Sequence, residues 1–235
     1  NFWNSGTKTV QVAAIDHDGG GVKNTKIFFD GASGAGSPDH NFDQYCAYIH
    51  WQPCTAFVSN VPSVDTTAFA DGPHTATTRA TDAGDNVTDA TVNFKVDNTT
   101  PDTPSAVDID GTLQGWSSSN DFDVAWTNAT EEAETLTQSG IAQVRVNVEP
   151  TDPGNQVDPA AVTIPVGSSV SGITASVNSI SGLSLPAVGE WTLRLSVIDR
   201  AGNESAVGDG SGGSADSDLV IGFDPTPPAA PQGQA

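Results

Sequence analysis

Two stretches of the chain share one pattern: a strand, a tight acidic turn, a second strand and a proline-rich exit. The first stretch is residues 72–104 and the second is residues 189–228. Each turn contains Asp, Gly and Asn, which favour tight reversals of the backbone. Each exit contains prolines, which cannot occupy a central strand. The repetition predicts two modules in series, each closed by a β-hairpin.

Apolar and polar residues alternate in both hairpins, which is the period of a strand with one buried face. The apolar residues are Ala90, Val92, Phe94 and Val96 in the first copy and Trp191, Leu193, Leu195 and Val197 in the second. Further short apolar segments separated by turn residues are typical of β-sandwiches. We therefore predict an all-β chain with two tandem antiparallel β-sandwiches, residues 1–99 and 100–228, and the start of a further linker at residues 229–235.

Negative charge dominates the composition. The chain has 29 acidic and 8 basic residues, which gives a formal net charge of −21. Such a chain repels nucleic acid, so we expect no nucleic-acid partner. No apolar run of about 18 residues is present, so we also predict no membrane span.

The chain contains two cysteines, Cys46 and Cys54, in one loop. Their spacing is too long for a CxxC redox motif, and no second pair is present to complete a zinc site. We therefore predict a local disulfide, which contributes about 2–3 kcal/mol in the chain-entropy picture. A disulfide also indicates an oxidising compartment, and so an extracellular or cell-surface location.

The segment from Tyr45 to Cys54, here called the aromatic loop, ends an insertion that covers residues 31–54. Its rings include Tyr45, Tyr48 and Trp51. Two interpretations are open. Exposed rings on a pinned loop suit the binding of a glycan or a protein partner. Alternatively, the rings fold back onto the sandwich as a lid.

Acidic residues concentrate in the turns and in the linker between the modules. In each module these turns are expected to lie at one end, which the linker residues also enter. Oxygen ligands gathered there would suit Ca²⁺, the one cofactor we consider. The alternative is that these side chains serve only to form turns. The candidate ligands are Asp16, Asp18, Asp82, Asp85, Asp97, Asp102, Glu131 and Asp199.

Several segments together resemble a known family. They are VAAIDHDGGGV, VDTTAFADGPHTATTRATDAGDN and VDNTTPDTP in the first module, and GWSSSNDFDVAWTN, GEWTLRLSVIDRAGN and FDPTPPAAP in the second. Their order resembles tandem bacterial Ig-like repeats, related to fibronectin-III modules, of large surface or secreted proteins of actinobacteria. The resemblance implies an Ig-like fold, a stalk role and neighbouring modules of the same long chain as partners. It implies no catalytic residues.

The sequence contains no G-x-S-x-G elbow or comparable nucleophile motif, so we predict that the chain is not an enzyme. The leading hypothesis is a structural spacer in an extracellular or cell-surface protein. One alternative is a module that binds a glycan or a protein through the aromatic loop. A further alternative is a subunit of an extracellular filament or virion.

Overall fold

The computed structural model describes residues 2–31, 39–110, 115–127, 133–151, 160–167, 169–170, 173–207 and 219–230. Within these ranges the fold is all-β, as predicted, apart from one 3₁₀ turn at Thr66–Ala68. The chain divides into two compact units. Unit 1 is Asn1–Thr99 with Leu136–Gln138, and unit 2 is Thr100–Thr135 with Ser139–Ala235. The predictions made for Glu131 and for residues 231–235 lie outside the described residues.

Unit 1 contains a five-stranded sheet and two two-stranded sheets. The large sheet has the order β1-β9-β8-β4-β5, and the small sheets pair β2 with β7 and β3 with β6. The strands are β1 Trp3–Asn4, β2 Thr7–Thr9, β3 Val12–Ile15, β4 Val22–Phe29, β5 His40–Asp43, β6 Phe57–Asn60, β7 Ser63–Asp65, β8 Gly72–Asp82 and β9 Val87–Val96.

Unit 2 contains two five-stranded sheets, with the orders β10-β12-β17-β16-β15 and β11-β19-β18-β13-β14. The strands are β10 Ser105–Asp110, β11 Trp116–Ser117, β12 Phe122–Thr127, β13 Ile141–Pro150, β14 Ala160–Pro165, β15 Ser169–Val170, β16 Ile173–Ala175, β17 Ser179–Leu183, β18 Gly189–Asp199 and β19 Leu219–Phe223.

Two short parallel pairings accompany the antiparallel strands. In each unit a two-residue strand runs parallel to the last strand. Trp3 pairs with Lys95 in unit 1, and Trp116 pairs with Gly222 in unit 2. Each short strand lies beside the last strand and runs in the same direction, which a hairpin pattern does not reveal.

The buried face predicted for β18 is confirmed. Its alternate residues Trp191, Leu193, Leu195 and Val197 are all buried in one core, together with residues from the facing sheet such as Val124. The indole N–H of Trp191 donates to the carbonyl of Ala187 at 3.0 Å, so this ring is buried without an orphaned polar group. Unit 2 is therefore a filled sandwich.

The buried face predicted for β9 is wrong over most of the strand. Val96 is fully buried and Phe94 is half-buried, but Val92 is 58% exposed and Ala90 is exposed as well. The facing layer of unit 1 consists of the short pairs β2–β7 and β3–β6, and it does not cover the first residues of β9.

Strand directions place the two ends of unit 2 far apart along its sheets. The chain enters at Ser105, which pairs with Thr127, the last residue of β12. The first residue of β12, Phe122, pairs with Leu183, and residues 184–188 lead from there directly to Gly189 at the start of β18. The chain leaves along β19, where Phe223 pairs with Gly189, so the exit lies at the Phe122 end of β12 and the entry at the Thr127 end. Because β18 has 11 residues, these ends are separated by roughly 35 Å.

The part of the chain that the structure describes includes no helix whose length and hydropathy would suit a membrane span.

Candidate functional site

The aromatic loop is closed at its base by the predicted disulfide. Cys46 and Cys54 are bonded, with their Cα atoms 4.3 Å apart. Cys54 is buried, so the bond anchors the loop to the body of unit 1. The loop is therefore a covalently closed ring attached to a folded sheet.

Hydrogen bonds fix the base of the ring to its surroundings. One crosses the ring itself and the others reach β4 and the turn before it. They are Ala47 N–H to the Pro53 carbonyl at 2.7 Å, Cys54 N–H to the Gly20 carbonyl at 2.9 Å, Gln44 N–H to the Lys23 carbonyl at 2.8 Å and Val22 N–H to the Thr55 carbonyl at 2.8 Å. Such bonds limit the conformational entropy that the loop has left to lose on binding.

The aromatic side chains project into solvent. Tyr45 is 89% exposed, Tyr48 62% and Trp51 82%, so the lid interpretation is wrong. Ile49, between two of these rings, is 88% exposed and was missed by sequence reasoning. Exposed apolar groups concentrated on one fixed loop are typical of binding surfaces.

A charged pair lies beside the loop on unit 1. The ammonium of Lys23 and the carboxylate of Asp85 are 2.5 Å apart. The hydrogen bond and the negative charge of Asp85 raise the pKa of Lys23, and Tyr48 acts on the same ammonium in the same direction. Asp85 is therefore used as an ion-pair partner and not as a member of a carboxylate cluster.

The two acidic turns of unit 1 meet, as the sequence predicted. The Ala83 N–H donates to the Gly21 carbonyl at 3.1 Å. The carboxylate of Asp16 accepts the Gly21 N–H, and that of Asp82 accepts the amide groups of Asn86. The side-chain amide of Asn86 lowers the pKa of Asp82 most, and its backbone N–H adds to that effect. These oxygens serve to close turns.

Asp199 of unit 2 has the same role. Its Oδ1 accepts the backbone N–H groups of Gly202 and Asn203 at 2.6 and 2.8 Å, and its Oδ2 accepts the side-chain amide of Asn203 at 2.7 Å. Next to this turn, the guanidinium of Arg200 lies 3.3 Å from the carboxylate of Glu134.

The remaining predicted ligands do not join these turns. Asp97 follows β9 at the end opposite to Asp82, roughly 30 Å away along the hairpin, so the expectation of a single acidic end is wrong for unit 1. Asp18 and Asp102 are exposed. Among the described residues, no group of three or more His, Cys, Asp or Glu is placed to hold a metal ion. Calcium binding stays a prediction.

A second polar cluster, missed by sequence reasoning, lies around His74. Its Nδ1 is 2.5 Å from the carboxylate of Asp30, and its Nε2 is 2.6 Å from the carbonyl of Ala70. Both partners are acceptors, and only an imidazolium has two N–H groups to offer them. The ring also packs against Phe69 and Phe94, with centroids 5.2 and 5.5 Å away.

The geometry shifts two pKa values in this cluster. Burial alone would lower the pKa of His74, but the bonds to Asp30 and Ala70 outweigh burial and raise it. Burial alone would raise the pKa of Asp30, but the Thr75 backbone N–H and the His74 ring hold it below its usual value. The negative charge of Asp71 adds to the effect on His74.

Comparison with known proteins gives similarity in fold and no assigned family. The chain matches no model of a protein family and no curated protein. Among solved structures, fibronectin(III)-like modules of Clostridium thermocellum CbhA match with a TM-score of 0.46 and 7% identity, over 94% of this chain and 88% of theirs. A tetra-tandem repeat from the extending region of a large adhesion protein matches with a TM-score of 0.34 and 15% identity, over 94% and 50%.

Murine CEACAM1b matches with a TM-score of 0.33 and 13% identity, over 95% of this chain and 94% of that one. Similarities at this level carry no argument about function. The actinobacterial origin suggested by the sequence stays a prediction.

Proposed function

We propose that this chain is a non-catalytic spacer segment of an extracellular or cell-surface protein, with neighbouring modules of the same long chain as its partners. The observation that carries the proposal is the path of the chain through unit 2. It enters beside Thr127 and leaves beside Gly189, at opposite ends of the sheets. A module entered and left at opposite ends adds its own length to the chain that contains it.

Three further features suit this proposal. The linker between the units contains Pro101 and Pro104, which restrict the backbone. Unit 2 holds its strands with the long β13–β18 ladder, which extends from Ile141 to Pro150. The disulfide in unit 1 fits an oxidising compartment.

Pulling the full chain from its two ends tests the spacer role. We expect two discrete unfolding steps, because each unit is a separately packed body. The step of unit 2, from Ser105 to Phe223, is expected to release about 350–400 Å of chain. Single-molecule force spectroscopy measures these lengths. Gradual extension at low force, without discrete steps, would contradict a load-bearing role.

Reduction of the disulfide provides the control that assigns the steps. The cysteines are 8 residues apart and their Cα atoms are 4.3 Å apart in the disulfide, so reduction is expected to lengthen the step of unit 1 by roughly 23 Å. The step of unit 2 is expected to stay unchanged, because both cysteines belong to unit 1.

A second function is favoured by the exposure of the aromatic loop. We propose that the loop binds a neutral glycan by stacking its rings on the apolar faces of sugars. Tyr45 and Trp51 are among the most exposed large side chains of the described residues. The loop itself contains no Asp, Glu, Lys or Arg, and the chain carries a net charge of −21, which disfavours acidic ligands.

Removal of one exposed ring is expected to weaken such binding without affecting the fold. Trp51→Ala and Tyr48→Ala should each lower the affinity for a neutral oligosaccharide about fivefold, since one aromatic contact contributes on the order of 1 kcal/mol. A glycan array followed by titration of the best neutral ligand measures this. The melting temperature should not change.

Phe2→Ala is the matched control for this experiment. Phe2 is 85% exposed, and its carbonyl accepts the Lys95 N–H beside the last residues of β9, away from the aromatic loop. We expect this variant to bind as the wild type does. Equal losses in Phe2→Ala and Trp51→Ala, or capture of a protein and of no glycan, would contradict glycan recognition by the loop.

A further inference from the structure

The outer edge of β9 is open over most of its length. β8 pairs with β9 from Val87 to Val96 on one side. On the other side, the described strands contribute only β1, which pairs with Lys95 and Val96. The stretch from Val87 to Asn93, here called the open edge, has no strand beside it among the described residues.

Every second residue of the open edge points its backbone groups away from β8. The N–H groups of Lys95 and Asp97 donate outward, to Phe2 and Asn4 of the β1 segment. Directions alternate along a strand, so the odd-numbered residues Val87, Thr91 and Asn93 point their N–H and carbonyl groups outward in the same way. The edge therefore presents a regular row of donors and acceptors.

This edge lacks the features that normally protect a β-strand from pairing. Edges are usually blunted by short length, proline, lysine or a bulge. β9 has 10 residues, and its pairing with β8 shows no shift of register. The open edge contains no Pro or Lys, and the guanidinium of Arg79 neutralises Asp89 through contacts of 2.8 and 2.9 Å.

Grooves lie beside the open edge, between the large sheet and the small sheets. One has a volume of about 330 Å³ and is lined by residues that include Val12, Ala14 and Ala90. Another, of about 130 Å³, is lined mainly by apolar atoms, with Val92 among its residues. Apolar surface that the facing layer does not cover thus lies next to the outward backbone groups of Val87, Thr91 and Asn93.

From these observations we propose that the open edge pairs with the open edge of a second copy of this chain, in antiparallel orientation. Centred on Ala90, the stretch is self-complementary: Ala90 faces Ala90, and Val87 faces Asn93. Asp89 faces Thr91, so no charge opposes a like charge. The outward-pointing odd residues then form the hydrogen-bonded pairs, as an antiparallel ladder requires. Two five-stranded sheets become one continuous sheet.

Mass measurement across a range of concentrations tests the pairing. The wild-type chain should move from 24.1 kDa at low concentration towards twice that mass at high concentration. Added salt should promote this change, because it screens the repulsion between two chains of net charge −21. A mass that stays at 24.1 kDa up to millimolar concentration overturns the proposal.

Two substitutions of Thr91 isolate the backbone bond. Thr91→Pro removes an outward N–H and leaves the ladder with β8 intact, so the variant should fold but stay monomeric. Thr91→Ala loses the same side chain as Thr91→Pro but keeps the backbone N–H. We therefore expect it to associate as the wild type does. Association of Thr91→Pro equal to that of Thr91→Ala overturns the proposal.

A cysteine at the centre of the pairing gives an independent measurement. Facing residues of a non-hydrogen-bonded antiparallel pair have Cα atoms about 4.5 Å apart, which suits a disulfide. Oxidised Ala90→Cys should therefore yield a covalent dimer, whereas Val61→Cys, at a 59% exposed position away from the open edge, should not. Equal cross-linking of the two variants, or none in Ala90→Cys, overturns the proposal.

Discussion

Replacement of Gly21 by alanine is expected to lower the free energy of unfolding of unit 1 by about 3 kcal/mol. Gly21 has a φ of +82°, which L-residues adopt at a cost. A Cβ there would lie 2.3 Å from the carbonyl oxygen of Cys54 and 2.8 Å from that of Thr55. These are backbone atoms, so a side-chain rotation cannot relieve the clash.

The displaced backbone belongs to the base of the aromatic loop. Movement of Cys54 and Thr55 breaks the bonds that join them to Gly20 and Val22. Each lost bond contributes about 1 kcal/mol, and the strained backbone adds a similar amount. We therefore expect Gly21→Ala to weaken glycan binding as well, although it changes no exposed ring.

Gly6→Ala separates the backbone strain of a positive φ from the clash with the backbone of Cys54 and Thr55. Gly6 also has a positive φ, +64°, but a Cβ there meets no atom within 4 Å. Its cost should be limited to about 1 kcal/mol of backbone strain. Urea denaturation measures the free energy of unfolding of both variants. Hydrogen exchange of peptides from residues 12–30 is a separate measurement of local stability in unit 1. Equal losses would show that the contact with Cys54 carries no energy.

The stability of unit 1 is expected to fall as the pH rises from 5 to 9, through loss of the proton on His74. The protonated ring donates to both Asp30 and Ala70. The neutral ring has one N–H, so one acceptor is then left without its donor. Hydrogen bonds to charged groups contribute about 1.5–3 kcal/mol each.

Each shifted pKa sets one pH limit to the stability of unit 1. The pKa of His74 is raised in the folded chain, so its contribution is complete below the ordinary value near 6.5 and is lost as the pH rises through the folded pKa. The pKa of Asp30 is lowered, so its contribution is present above its ordinary value near 3.8 and is lost as the pH falls through the folded pKa. Both contributions are intact between those two ordinary values.

His74→Gln should flatten this pH dependence, because glutamine does not titrate. Asp30→Asn should flatten it as well, since it removes the charge that favours the imidazolium. His50→Gln is the matched control, because His50 is exposed on the aromatic loop. Urea denaturation at several pH values gives each slope. A slope in His74→Gln as steep as in the wild type would assign the pH dependence to other groups.

Alternation of apolar and polar residues predicted the fold class. It also predicted which face of β18 is buried in unit 2, because the facing sheet there is complete. The same alternation failed in β9. Val92 and Val197 both belong to apolar rows that alternation predicts to be buried, yet only Val197 is buried. Burial of a strand depends on the layer opposite to it, and local periodicity contains no information about that layer.

The candidate sites likewise divide into those that local sequence predicts and those that it does not. The Cys46–Cys54 bond is local, and its spacing was enough to predict it. The His74 cluster joins residues 44 positions apart, and no motif connects them. The exposure of Trp51 contradicts the usual burial of large apolar residues, so sequence alone left the lid and the binding surface as alternatives.

The sulfur–sulfur bond also determines which residues bear tension. When the chain is pulled, force that arrives at Cys46 passes to Cys54 through the two sulfur atoms, and the residues between them carry none. Tyr48 and Trp51 therefore stay in a closed ring even after the strands of unit 1 have been drawn out. A tether built from this chain would therefore keep its aromatic loop closed by the disulfide under forces that unfold the rest of unit 1.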